Sequence, residues 1–208
     1  MEGERRPMQD ASIKAALAKP ITHQIGGHLA LDFCNTAGEH LADHPDEMLL
    51  NWESFIRWTA QVGMIGPETY PELLRHPAPI NKIVQLREAI YRVGLAIARG
   101  DRIPQSDLLA IHAQAATSKP TIINGRQGLR WQPHPSRASA QLRALLASEA
   151  LSLFCSPQSS RIGICEGGQC GWLFLDDSRG KRRRWCDMKD CGNRAKARRY
   201  YQQKHKTE

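Results

Sequence analysis

Three observations predict a mainly α-helical body with small β-hairpins, followed by a small cysteine-rich module. Apolar residues recur at three- and four-residue spacing along most of the chain up to Cys155. Four of the six cysteines fall within the last 44 residues. Nearly all of the net charge of +8 lies in the last quarter, where residues 161–208 hold 13 Lys and Arg against 6 Asp and Glu. A neutral body carrying one strongly basic module is the charge pattern of a protein that meets a polyanion.

The elements follow in order. Residues 1–20 read as a loose leader without a secretory pattern, so a cytoplasmic location with reduced thiols is expected. No run of 18 apolar residues exists to span a membrane. In IGGHLALDFCNT, Gly26 and Gly27 break the chain before an apolar stretch that suits either a strand or a short helix. From Asp46 to Gly63 the stripe Met48, Leu49, Trp52, Phe55, Ile56, Thr59 and Val62 predicts an amphipathic helix. A Pro-rich segment leads to a second helix over 80–99, with Ile83, Leu86, Ile90, Val93 and Ile97 inward and Gly100 as its stop. Pro104 starts a third helix, since the first turn does not need its missing N–H. TIINGRQGLRWQ reads as a hairpin around Asn124, Gly125 and Gly128. A last body helix covers 136–155, and SPQSS at 156–160 reads as a linker. The chain thus divides into the leader (1–20), a helical domain (21–158) and the cysteine module (159–208).

The four cysteines are Cys165, Cys170, Cys186 and Cys191, in the pattern C-x4-C, fifteen residues, C-x4-C. Two close pairs separated by a hairpin-length spacer can bring four thiolates to the corners of a tetrahedron, the ligand set of structural Zn²⁺. GWLFLDDSRGKRRRW between them reads as two strands around Ser178-Arg179-Gly180. Cys191 then falls at the start of a basic helix, where Asn193 is placed to cap free N–H groups. Metal loop, hairpin and ligand-bearing helix, in that order, make a treble-clef type of zinc finger. One structural zinc ion is the expected cofactor; four sulfur ligands leave no open position for catalysis.

Arg179, Lys181, Arg182, Arg183 and Arg184 load the return of the hairpin; Arg194, Lys196, Arg198 and Arg199 line the helix. Ala197, Tyr200 and Tyr201 share the opposite arc, which is expected to pack on the hairpin. Cations at fixed separations suit phosphate recognition, so these nine residues are the candidate nucleic-acid contacts and DNA the expected partner. RNA or an acidic protein are the alternatives. One small finger reads few bases, so a homodimer is expected.

FLDDSRGKRRRWCDMKDCGNRAKARR closely resembles the CGNR zinc finger, with Cys191-Gly192-Asn193-Arg194 as its motif. GGHLALDFCNT resembles the opening of the ABATE domain that precedes this finger. The resemblance implies a stress-induced transcriptional regulator, with an N-terminal domain sensing a small-molecule effector and a finger binding DNA. Cys34 stands where the resembled LDF-x-NT motif more usually has an aliphatic residue. Asp32, Asn35 and Thr36 are candidate ligand-binding residues, with local backbone anchoring as the competing role. His40 and His44 read as a surface pair. With no phosphate-binding loop, zincin motif or nucleophile elbow, the chain is not expected to be an enzyme; catalysis by Asp32 or Cys34 is the weaker alternative.

Overall fold

The computed structural model describes residues 15, 17–125 and 128–204. The expected leader lies mostly outside them. The ambiguous apolar stretch is a helix, α1 (Leu29–Cys34), with the His28 ring accepting from the Ala30 N–H at its start. It feeds a two-residue ladder, β1 (Ala37–Gly38) against β2 (Asp46–Glu47). Because Asp46 and Glu47 pair in this ladder, α2 (Trp52–Gln61) begins later than its apolar stripe suggests. Asn51 sets its start: its side chain accepts from the Ser54 N–H, and the Ser54 hydroxyl accepts from the Asn51 N–H. A short helix, α3 (Tyr70–Leu74), lies within the Pro-rich segment, with Pro71 in its first turn.

Helix α4 (Asn81–Arg99) buries Ile83, Leu86, Ile90 and Val93 as its periodicity predicts, and ends at Gly100 in the left-handed conformation. It packs against α1, α5 (Gln105–Ala115) and α6 (Ala138–Phe154). Phe33 of α1 sits against Trp58 and Phe55 of α2, with ring centroids at 5.4 and 6.4 Å. Each such side chain, fully buried, contributes roughly 1.5–3 kcal/mol. The expected hairpin is present as β3 (Thr121–Gly125) and β4 (Gly128–Gln132), with Ile122 opposite Trp131.

Residues 156–160 are not an open linker. Ser156 caps a 3₁₀ turn, Pro157–Arg161, that leads directly into β5 (Ile162–Ile164). This strand pairs antiparallel with β6 (Leu173–Leu175), across the first cysteine loop. The expected pairing of 172–175 with a return strand at 181–185 does not form a ladder. Instead the return is held by scattered bonds, among them Glu166 N–H to Arg184 O, Arg182 N–H to Ser178 Oγ and Arg183 N–H to Asp176 Oδ2. Ile162, Leu173 and Leu175 belong to the same apolar core as the body helices. No helix among the described residues is long and apolar enough to cross a membrane.

Candidate metal centre and basic surface

The four Sγ atoms of Cys165, Cys170, Cys186 and Cys191 lie within 4.8 Å of one another, and all four residues are buried. Cys186 Sγ is 3.7 Å from that of Cys170 and 3.6 Å from that of Cys191. A disulfide would need about 2.0 Å. A zinc tetrahedron with bonds of about 2.3 Å has edges near 3.8 Å, so the set fits one zinc ion. Thiol donors at Cys170 and Cys186 pull the Cys165 thiol down and are themselves pushed up. Holding all four as thiolates therefore calls for a cation among them.

Local structure places each ligand. Cys165 follows β5, and its N–H bonds Trp172 O at 2.9 Å, closing the loop that carries Cys170. At Gly167 a Cβ would come within 2.7 Å of Cys191 Sγ, so only hydrogen fits between the two ligand pairs. Cys191 lies in a π-turn, Met188–Gly192, that runs into α7 (Asn193–Lys204). Asp187 caps this turn by accepting from the Lys189 N–H. The Asn193 side chain, expected to accept, instead donates to Lys189 O at 2.9 Å. A Cβ on Gly192 would meet Met188 Sδ at 2.5 Å. Arg194 donates to Cys191 Sγ at 3.2 Å and pairs with Asp190 at 3.2 Å. The residues of Cys191-Gly192-Asn193-Arg194 thus all serve the metal turn.

The module is fixed to the body along the outer edge of β6. The Asn35 side chain accepts from the Leu173 N–H at 3.0 Å and donates to Leu173 O at 2.9 Å. Gly26 O accepts from the Leu175 N–H, and Arg183 donates to Leu175 O. Every outward group of the two leucines is thereby satisfied, and the edge is closed. Four more bonds hold the cysteine loop: His40 N–H to Cys170 O, Leu41 N–H to Gln169 O, Tyr91 Oη to Gly171 O, and Trp172 Nε1 to Ala37 O.

Asp32, Asn35 and Thr36 are all buried and engaged within the protein. Asp32 accepts from the Gly26 N–H at 2.8 Å. Burial pushes its carboxyl up to about 6, against the lowering effect of N–H donors from Gly26 and Ile25. Thr36 donates to Phe33 O and accepts from Arg87. Their geometry is that of backbone anchors. Burial also pushes the Cys34 thiol far up, which disfavours the reactive thiolate.

His40 corrects the surface reading: it is buried, stacked 3.5 Å from Tyr91 and 3.0 Å from Glu88. Beside it Arg87, 3% exposed, makes two 2.7 Å bonds to Glu47 and also binds Glu88. Burial pushes the Glu88 carboxyl up, but bonds and charge from His40 and Arg87 outweigh this and hold it at about 2. Sequence reasoning missed this network; its signal was Arg87, charged at the position after Leu86 on the buried face of α4.

The nine candidate cations separate into three groups. Arg183 faces inward, giving hydrogen bonds to Trp185, Leu175, Ile25 and Cys186 carbonyls with its guanidinium over the Phe174 ring. Arg184 pairs with Glu166 and lies over Trp185, and Arg194 serves the metal turn. Arg179, Lys181, Arg182, Lys196, Arg198 and Arg199 are exposed, and among the described residues none of the six meets a carboxylate. Helix α7 buries no side chain and packs mainly against its own turn. Ala197, Tyr200 and Tyr201 do not pack on the hairpin as expected; both tyrosines stay exposed because the turn projects the helix outward.

Comparison with family models finds the CGNR zinc finger over residues 161–204. It also finds ABATE, described as "Putative stress-induced transcription regulator", over residues 27–157, more than half of the chain. No curated protein matches the chain.

Proposed function

This chain belongs to the ABATE family, with a CGNR zinc finger behind its ABATE domain, and we propose that it is a non-enzymatic regulator whose finger binds duplex DNA. The observation that carries this reading is α7: a helix of 12 residues, about 18 Å long, anchored at one end by the cysteine cluster. It projects Lys196, Arg198 and Arg199 into solvent. A helix of this kind fits the major groove, about 12 Å wide, while Arg179, Lys181 and Arg182 reach the flanking phosphates. Two copies on a two-fold site would double the contact, and sedimentation with and without DNA tests that step.

The body supplies a place for a small-molecule effector that differs from the residues suggested by the sequence. A cavity of about 270 Å³ is lined by Leu17, Pro20, Thr22, Trp58, Gln61 and Val62 among others. The buried Trp58 Nε1 has no hydrogen-bond partner among the described residues. Thr22 donates to Asn35 O, and Asn35 holds Leu173 of the finger. An occupant with an acceptor group would therefore act one hydrogen bond away from the residue that fixes the module's edge.

Fluorescence anisotropy of a labelled duplex, titrated over a range of salt, tests the DNA reading. If each of the six exposed cations meets one phosphate, the slope of log K against log salt is about −5. Charge removal at Lys196, Arg198 and Arg199 should make it shallower by roughly 3. Weak, salt-insensitive binding would overturn the reading in favour of an acidic protein partner.

A further inference from the structure

The basic surface is not uniform. Between the return segment and the π-turn lies an open cleft of about 620 Å³, within the size range of small-molecule sites. Its walls are Ile25, Trp185 and Met188, with Arg182, Arg184 and Lys189 around them. Met188 is 49% exposed, although its sulfur lies against Gly192. A phosphate alone has no use for an apolar floor of this kind. An apolar plate with an anion attached does, and that is a nucleobase with its own phosphate.

The polar groups are placed to match. Arg184 lies 4.9 Å from the Trp185 ring centroid, giving a stacked guanidinium–indole pair. Arg182 and Lys189 have no carboxylate partner among the described residues, so both are available to a phosphate. Asp187 uses Oδ1 for the Lys189 N–H. Its Oδ2, without a partner among the described residues, can accept from an exocyclic amine such as that of cytosine. A carboxylate here repels phosphate while receiving a base edge, which gives the cleft an orientation.

We infer that this cleft receives one unstacked base, so that the protein prefers DNA carrying an unpaired cytosine to the fully paired duplex. The inference rests on the DNA-binding reading above and adds to it a distortion that plain duplex binding does not need. One stacked base is worth enough to give about a tenfold preference.

The test compares the full chain on two duplexes of the same sequence, one with a single unpaired cytosine at its centre, by competition anisotropy at one salt concentration. The expected result is about tenfold tighter binding of the unpaired form. In the double variant Asp187→Asn, Met188→Ala the ratio of the two affinities falls to about one, because the change in charge acts on both duplexes alike; asparagine caps the π-turn as aspartate does. Metal content and circular dichroism confirm that the variant is folded. Equal binding of the two duplexes by the native chain overturns the inference and leaves the DNA reading standing. A preference that persists in the double variant overturns the cleft as its source, and failure to bind either duplex removes both readings.

Discussion

At the scale of single residues, the basic side chains divide by what their nitrogens touch. Arg194 looks like a helix cation in the sequence, yet its guanidinium bonds a cysteine sulfur. Four thiolates around one dication leave excess negative charge, and an N–H donor to sulfur offsets part of it. Arg194→Ala should therefore weaken zinc retention by about tenfold in competition with a colorimetric chelator. A residue that met only DNA would leave zinc retention unchanged. Asp32 carries a different test. Its carboxyl titrates near 6 when folded, above its ordinary value of 3.8, so the folded state binds the extra proton. Its contribution to stability is full at low pH and is lost as pH rises from 3.8 to about 6. Asp32→Asn keeps an oxygen for the Gly26 N–H and has no charge to bury. The difference in thermal midpoint between variant and native chain should grow through that window, in the variant's favour.

At the scale of elements, the short strand β6 shows what a local reading contains and what it lacks. Leu173 and Leu175 announce a strand, but alternation does not say which segment pairs with it. The chosen partner, β5, is only three residues long. The outer edge is closed by Asn35, 138 positions away. Asn35→Ala would leave a buried N–H and C=O on Leu173 without partners, at a cost of roughly 2–4 kcal/mol. Urea unfolding measures this loss, and a change below about 0.5 kcal/mol, typical of a surface substitution, would contradict the clamp. The helices α2, α4 and α6 were legible because an apolar stripe repeats within one element and ends at residues such as Gly100, and α5 because Pro104 marks its start. The four ligands were legible from spacing alone. The Arg87–Glu88–His40 network was not, because its members come from separate elements and look like solvent-facing charges until the fold joins them. The outward direction of α7 was not legible either: Tyr200 and Tyr201 suggest an apolar face, and only the geometry of the π-turn keeps them from the hairpin.

At the scale of the whole molecule, body and finger are built as one piece. The leucines of β6 lie in the body's core, and the cysteine loop hangs from His40, Leu41, Tyr91 and Ala37. By contrast α7, a helix of 12 residues, buries no side chain. In water, isolated helices of that length are marginal. Its order depends on the metal turn at its start, and the direction of the proposed DNA-reading surface depends on the same turn. The most direct test is to remove zinc with a chelator while following amide hydrogen exchange and duplex affinity on one sample. Protection across α7 and duplex binding should fall together, with α4 and α6 still protected, and one equivalent of zinc should restore both. Retention of α7 protection, or of salt-dependent duplex binding, after the zinc is gone would contradict the account.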